Sequence, residues 1–273
     1  MDNQLLLFRD LIHAHTGLFF SDYPSLEFVA TRLQPRVDET GCSSLSEYYR
    51  FLNEGGKAAN EWLHVIAALS RPKSSFRRHR RLAEVLLTIL IPRLLSNADR
   101  TRLRIWSAGC STGEEPLTIA MALDEAGLFN RLNIEINASD ANLVGIETAR
   151  QGIYADSKVV FLPTQARLKY FRQTNEGWQV IAELHKRIQW SLTNLIAEND
   201  IAELANSDII ICQNVFIYFS ESTICQTLRF FKQQMPRGGY LLTDGGDYYT
   251  GLVANLGIFE RQQIPDVSLW KKS

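Results

Sequence analysis

The loop Ala108-Gly-Cys-Ser-Thr-Gly113 follows a run that reads as a strand, Leu103–Ser107, and precedes a helix beginning near Glu114. Small residues there let a ligand approach the backbone, and the helix start offers free N–H groups. No Gly-Lys-Ser/Thr follows, so this is not a phosphate loop, and the spacing is not Gly-x-Gly-x-x-Gly. Glu114 and Glu115 come next instead. Acids at a helix start suit its dipole, so a purely structural role stays open. Beside a ligand loop, however, two anions repel a pyrophosphate and favour a cationic ligand. The next strand, Asn133–Ala138, runs on to Asp140, where an acid is placed to accept hydrogen bonds from two ribose hydroxyls. A nucleoside without phosphates that carries an ammonium and a sulfonium describes S-adenosylmethionine.

The elements that must position these residues fall into two grammars. Residues 1–70 read as helical. Leu5, Leu6, Phe8, Leu11 and Ile12 recur at helical spacing up to Gly17. A second helix spans about Ser25 to Gly41, with Pro35 as a candidate kink. Ser44 or Ser46 caps a third that ends at Gly55-Gly56, and a fourth covers Trp62 to Leu69. Residues 71–81, with Pro72, form a linker. From residue 82 to 273, strand and helix alternate. Leu82–Leu95 is an amphipathic helix, Asp208–Cys212 has the branched apolar character of a strand buried on both faces, and Tyr240–Thr243 is a further strand. The pattern is that of a doubly wound, Rossmann-like α/β sheet. Trp178–Ile181 and Arg187–Ser191, joined by a turn at 183–186, read as an inserted antiparallel β flap within about residues 165–192.

Composition narrows the classes. The 273 residues carry 29 basic and 30 acidic side chains, a formal charge of −1, which excludes a protein that coats nucleic acid. Cys42, Cys110, Cys212 and Cys225 form no Cys-x-x-Cys pair, so a disulfide framework or zinc site is not expected, and a reducing compartment suits them. The N-terminal residues lack a signal-peptide pattern, and no apolar stretch is long enough for a bilayer span. A cytoplasmic protein is expected. His13 and His15 share no helical face and read as solvated, and His64, His79 and His185 are too dispersed for a metal. Cys110 and Cys212 read as small buried residues, and the tryptophans and Phe230-Phe231 as core. Residues 71–104 stand apart with 10 basic and 2 acidic side chains. That block is either a solvated face or a docking site for an acidic partner, which Arg32 and Arg36 would extend.

Four stretches together resemble the chemotaxis-receptor glutamate methyltransferase (CheR-type) family: Trp106-Ser-Ala-Gly-Cys-Ser-Thr-Gly-Glu-Glu-Pro116, Ala138-Ser-Asp140, Asn194-Leu195 and Cys212-Gln-Asn-Val-Phe-Ile-Tyr-Phe219. The helical region and Leu69-Ser-Arg-Pro-Lys-Ser-Ser-Phe-Arg-Arg78 resemble that family's N-terminal domain and linker. The likeness runs in the same order over nearly the whole chain. It implies a small helical domain followed by a methyltransferase domain that uses S-adenosylmethionine, releases S-adenosylhomocysteine and needs no metal. The implied partner is the acidic, helical cytoplasmic region of a chemotaxis-type receptor.

The resemblance also assigns residues. It places Ser74, Arg78, Ala108, Gly109, Gly113, Glu115, Asp140, Asn194, Leu195, Asn214 and Val215 around the cofactor, with Glu115 toward its methionine part and Asp140 on its ribose. Arg78 and Tyr218 are then the catalytic candidates, orienting a glutamate carboxylate that is already nucleophilic and needs no base. The sequence departs from the family at Pro72, Arg77, Gln213 and Asp244-Gly-Gly-Asp247. Two other readings remain: a methyltransferase for a different acceptor, and a module that binds the cofactor with little turnover.

Overall fold

Helical spacing of apolar residues folds the N-terminal region into α1 (Asp2–Thr16), α2 (Tyr23–Glu39), α3 (Leu45–Asn53) and α4 (Glu61–Leu69). The computed structural model describes the chain except residues 1, 21–22, 55–59, 71–73, 77–79, 97–99 and 244, and the side chains of 2–5, 23–25 and 247. Phe8, Ile12, Val29, Leu33, Tyr48, Leu52 and Val65 form this bundle's own core. Ser44 caps α3 by accepting from the Glu47 N–H at 3.2 Å. Pro35 lies inside α2 without ending it. A buried polar group ties three of the helices. Arg36 donates Nε and Nη2 to the two oxygens of Glu61 at 2.8 and 2.7 Å, and the Tyr48 hydroxyl donates to Glu61 Oε1 at 2.7 Å. Burial works against the Glu61 charge, but those hydrogen bonds hold its carboxyl below the usual range.

The expected helix at 82–95 is present with an irregular middle. It runs as α5 (Arg80–Val85), a π-helical turn (Leu86–Leu90) and α6 (Ile91–Leu95). Pro92 has no N–H to continue the α ladder, and the turn before it widens. The α/β part follows as β1 (Arg102–Ala108), α7 (Glu114–Glu125), β2 (Asn133–Asp140), α8 (Leu143–Gln151), β3 (Ile153–Tyr154), α9 (Asp156–Val159), α10 (Thr164–Tyr170), β4 (Phe171–Thr174), β5 (Gly177–Val180), α11 (Ala182–His185) and β6 (Ile188–Leu192). It continues as α12 (Glu198–Ala205), β7 (Ile209–Cys212), α13 (Glu221–Gln234), β8 (Tyr240–Thr243), α14 (Asp247–Asn255), β9 (Glu260–Gln262) and β10 (Ser268–Lys271).

The main sheet has the order β6-β2-β1-β7-β8-β10-β9, parallel except that β10 runs antiparallel to both its neighbours. Helices cover both faces and bury two cores, one including Leu103, Ile105, Ile136 and Ile211, the other Trp106, Ile210, Phe231 and Trp270. Every residue of β7 is buried, as its branched apolar run implies. Strand order reverses between β1 and β7, and the crevice at the carboxyl ends of those strands is where such sheets hold ligands.

Of the two expected flap strands one is present: Trp178–Ile181 falls on β5. β4 and β5 form the flap's hairpin, and β3 completes the order β3-β5-β4. The other expected strand, Arg187–Ser191, is instead β6 (Ile188–Leu192), the edge strand of the main sheet, parallel to β2 from Ile136↔Ile188 to Asp140↔Leu192. An edge strand with one solvated side alternates just as a hairpin strand does, so periodicity alone does not separate them.

Candidate active site

The carboxyl ends of β1, β2 and β7 floor a cavity of about 350 Å³, and the helical bundle closes over it with Thr16, Leu18, Ile66 and Ser70. Of the residues singled out from the sequence, Ser74, Gly109, Glu115, Asp140, Asn194, Leu195, Asn214, Val215 and Tyr218 line it. Ala108 and Gly113 are not among the lining residues. Ala108 is buried in β1 opposite Ser139, and Gly113 packs at the start of α7, where a Cβ would meet Ala149 at 2.9 Å. Arg78, Arg77, Pro72 and Asp244 lie outside the described residues.

The loop after β1 is built for close approach. Gly109 has φ +85°, and a Cβ there would stand 2.3 Å from Val215 Cγ2, so glycine is required for β1 and β7 loops to meet. The Ser139 carbonyl accepts from the N–H groups of Gly109 and Cys110 at 2.8 and 2.9 Å. Asp140 is then fixed at both oxygens: Ser111 N–H donates to Oδ2 at 2.7 Å, and Asn142 N–H to Oδ1 at 2.8 Å. Burial pushes its carboxyl up from the usual range against those two donors. Each oxygen keeps a lone pair for a ligand hydroxyl. Burial, with Asp140 and Glu115 nearby, also pushes the Cys110 thiol up, which suits a small buried residue rather than a nucleophile.

The acidic pair at the start of α7 is divided in function. Glu115 lines the cavity and accepts from Ser107 Oγ at 2.7 Å. Glu114, fully buried, turns elsewhere: it accepts from Thr112 Oγ1 at 2.6 Å and pairs with Lys158 at 2.7 Å. The expectation of two anions beside the ligand is corrected to one, because Lys158 neutralises the other.

Contacts across the two helical and α/β parts frame the cavity, and the sequence pattern held no sign of them. Asn142 caps α8 by accepting from Gly145 N–H at 2.9 Å and donates its Nδ2 to Ser70 Oγ at 2.9 Å. Asn194 Nδ2 donates to the Thr16 carbonyl at 3.0 Å. Phe19 N–H donates to the Tyr218 carbonyl at 2.8 Å, beside a bridge between Leu18 and Phe219. His13, expected in solvent, is half-buried, with Nε2 at 3.0 Å from Ser220 Oγ and 2.9 Å from Thr223 Oγ1 on α13. His15 stacks on Trp62 with ring centroids 4.3 Å apart. Gln213 lines the cavity and donates to the Thr243 carbonyl at 3.4 Å.

The basic block is less free than its sequence suggests. Arg81 pairs with Glu84, Arg100 with Asp208, Arg102 with Glu135, and Arg104 with Glu135 and Glu203. Arg36 belongs to the buried Glu61 group, and Arg32 donates Nε to the Ala68 carbonyl at 2.8 Å. Neither is an open extension of the block.

This donor set suits a cationic nucleoside. Asp140 offers fixed acceptors that suit ribose hydroxyls, Glu115 offers an anion, and Leu195 and Val215 offer apolar wall that suits a flat ring. Ser111 Oγ and Thr193 Oγ1, in two lining residues, have no partner among the described residues. No cluster of metal-ligating side chains occurs among them either.

Comparisons with known proteins agree with the geometry. Residues 72–249 match the family model described as "CheR methyltransferase, SAM binding domain", and residues 3–70 match "CheR methyltransferase, all-alpha domain". The chain is 31% identical over 238 residues to the chemotaxis protein methyltransferase of Borreliella burgdorferi, covering 85% of this chain and 83% of that one. It is also 31% identical over 243 residues to chemotaxis protein methyltransferase 2 of Vibrio cholerae, covering 88% and 83%.

Proposed function

Because the chain belongs to the CheR methyltransferase family, we propose that it methyl-esterifies glutamate side chains on the acidic, helical cytoplasmic region of a chemotaxis-type receptor. The reading divides the chain into a helical domain (1–70), a linker that contributes to the site (71–81) and a methyltransferase domain (82–273). It places the protein in the cytoplasm with its receptor's signalling region. No helix among the described residues is long and apolar enough to cross a membrane.

The observation that carries the reading is the cavity whose floor presents Asp140 and Glu115 and whose roof is the helical bundle. S-adenosylmethionine, when bound, supplies an electrophilic methyl on a sulfonium. The chain's own residues bind and orient. Asp140 accepts from ribose hydroxyls, Glu115 holds the ammonium end, and Leu195, Asn194, Asn214 and Val215 surround the base. A glutamate carboxylate is a nucleophile at neutral pH, so no side chain has to remove a proton. Acceleration then comes from alignment and water exclusion. Arg78 orients the carboxylate by charge-assisted hydrogen bonds, and Tyr218, at the rim with 37% of its surface exposed, donates one more.

The test is transfer of labelled methyl to receptor cytoplasmic fragments, with base-labile label identifying esters. Label that survives base would favour an amine acceptor. Tight cofactor binding with no transfer to any fragment would leave a binding module instead.

A further inference from the structure

The linker that reaches the cavity is seated on side chains to which neither the sequence pattern nor the mechanism assigns a role. Ser74 lines the cavity, and its carbonyl accepts from the ammonium of Lys158 on α9. The same ammonium donates to Glu114 Oε1 at 2.7 Å, and Glu114 is the residue before the cavity-lining Glu115. Lys158 thus joins the linker to the first turn of α7. The surrounding contacts make this a built seat. Thr112 Oγ1 donates to the second Glu114 oxygen at 2.6 Å, and the Tyr154 hydroxyl donates to the Thr112 carbonyl at 2.8 Å. Two residues past Ser74, Phe76 is buried edge-on against Tyr154 and Phe171, with centroids 5.4 and 5.7 Å apart. Phe76 fixes the linker by packing, and Lys158 fixes it by charge.

We propose that Lys158 is a positioning residue for methyl transfer, holding the Ser74 segment at a fixed distance from the Glu114–Glu115 end of the cavity. The inference rests on the reading that this cavity takes S-adenosylmethionine and that the linker borders the reacting methyl. A simpler role competes with it: Lys158 as nothing more than the counter-ion of a buried carboxylate, whose loss would strand that charge.

The two roles separate in a double variant. Lys158→Met is expected to lower kcat by about ten- to a hundredfold, since small misplacements at a reacting centre cost that much. It should also speed amide exchange across residues 74–76 and lower the melting temperature. Adding Glu114→Gln removes the stranded charge. The melting temperature should then recover, while kcat stays low and the linker amides stay fast. Lys158→Arg, which keeps the charge and several donors, should restore most of both. If the double variant recovers kcat together with stability, Lys158 is only a counter-ion and the proposal is overturned. Unchanged kcat and exchange in Lys158→Met would overturn it as well. Wild-type binding of S-adenosylhomocysteine by calorimetry, and wild-type transfer to receptor fragments, test the underlying function separately. Should wild type transfer to no fragment, linker exchange and S-adenosylhomocysteine affinity in the three variants still decide the seat.

Discussion

Asp140 is the residue to which the proposed function gives the cofactor's ribose, and its surroundings set a sign that can be measured. Its oxygens are held by Ser111 and Asn142 N–H groups, yet burial still pushes the carboxyl above its ordinary value of 3.8. A ribose needs acceptors there, so protonation removes binding, and affinity for S-adenosylhomocysteine should fall as pH drops through that raised value. For folding the sign is opposite: a raised carboxyl costs stability above its folded pKa, and acidification through it relieves the cost. Asp140→Ala should weaken binding by about 1–3 kcal/mol through lost hydrogen bonds. Asp140→Asn should flatten the acid-side loss that Asp140 contributes. Calorimetry from about pH 7 down to about pH 4 spans the carboxylate range; equal slopes in wild type and Asp140→Asn would take Asp140 out of the ribose site. Asp140 and Glu115 could be read from sequence because each is fixed by local grammar, the end of a strand and the start of a helix. Asn142 could not. Its partner Ser70 is 72 residues away, and the Asn194–Thr16 pair spans 178. No periodicity encodes such a pairing.

At the scale of elements, most of the sheet was legible, because fully apolar runs such as Ile209–Cys212 have one stable place between two helical layers. In the flap, Trp178–Ile181 was read correctly as a strand and its partners were missed for a physical reason. β3 has two residues, β4 buries only Phe171, and so neither offers an alternating pattern to read. Meanwhile β6 alternates because it is an edge. The helical bundle hid a different feature, the Arg36–Glu61–Tyr48 group, whose members lie on three helices separated by loops, so that no local pattern shows the pairing. Stranding one charge of a buried pair costs about 3–5 kcal/mol, but Arg36 keeps a second partner in the exposed Glu39. Glu61→Ala should therefore destabilise the bundle by less than about 3–5 kcal/mol, mainly through the lost Arg36 and Tyr48 hydrogen bonds, followed by Trp62 fluorescence during urea unfolding. Since the Glu61 carboxyl is held below its ordinary 4.5, its stabilisation is complete above that value and is lost as pH falls through the lower folded pKa. A Glu61→Gln protein that shows the same acid-side loss as wild type would contradict this assignment.

For the whole molecule, a net charge of −1 gives no general attraction to an acidic receptor, so any steering must be local. Beyond residue 81, Arg100, Arg102 and Arg104 are all paired with acids. The segment 71–81 is different in sequence: it holds Arg71, Lys73, Arg77, Arg78, Arg80 and Arg81 and no acid of its own, and only Arg81 reaches an acid, the exposed Glu84 one turn on, among the described residues. Ser74, in its middle, lines the cavity, so under the proposed function the basic residues of this segment are the candidates to meet an acidic receptor segment. Steering between exposed charges acts on encounter and is screened over about 8 Å at physiological ionic strength. Added salt should accordingly raise the KM for a receptor fragment while leaving cofactor affinity nearly unchanged. Replacing Arg80 and Arg81 with alanine should reproduce part of the rise and blunt its salt dependence. Arg36→Ala should behave differently, lowering the melting temperature with no salt-sensitive change in KM, because its charge is spent on Glu61 rather than offered to a partner. Steady-state methylation against salt for these variants, with melting temperatures measured alongside, distinguishes the two roles. A KM indifferent to salt and to the Arg80 and Arg81 substitutions would mean that the substrate is recognised by shape and apolar contact at the rim around Ile217 and Tyr218, with the basic linker serving the site only from within.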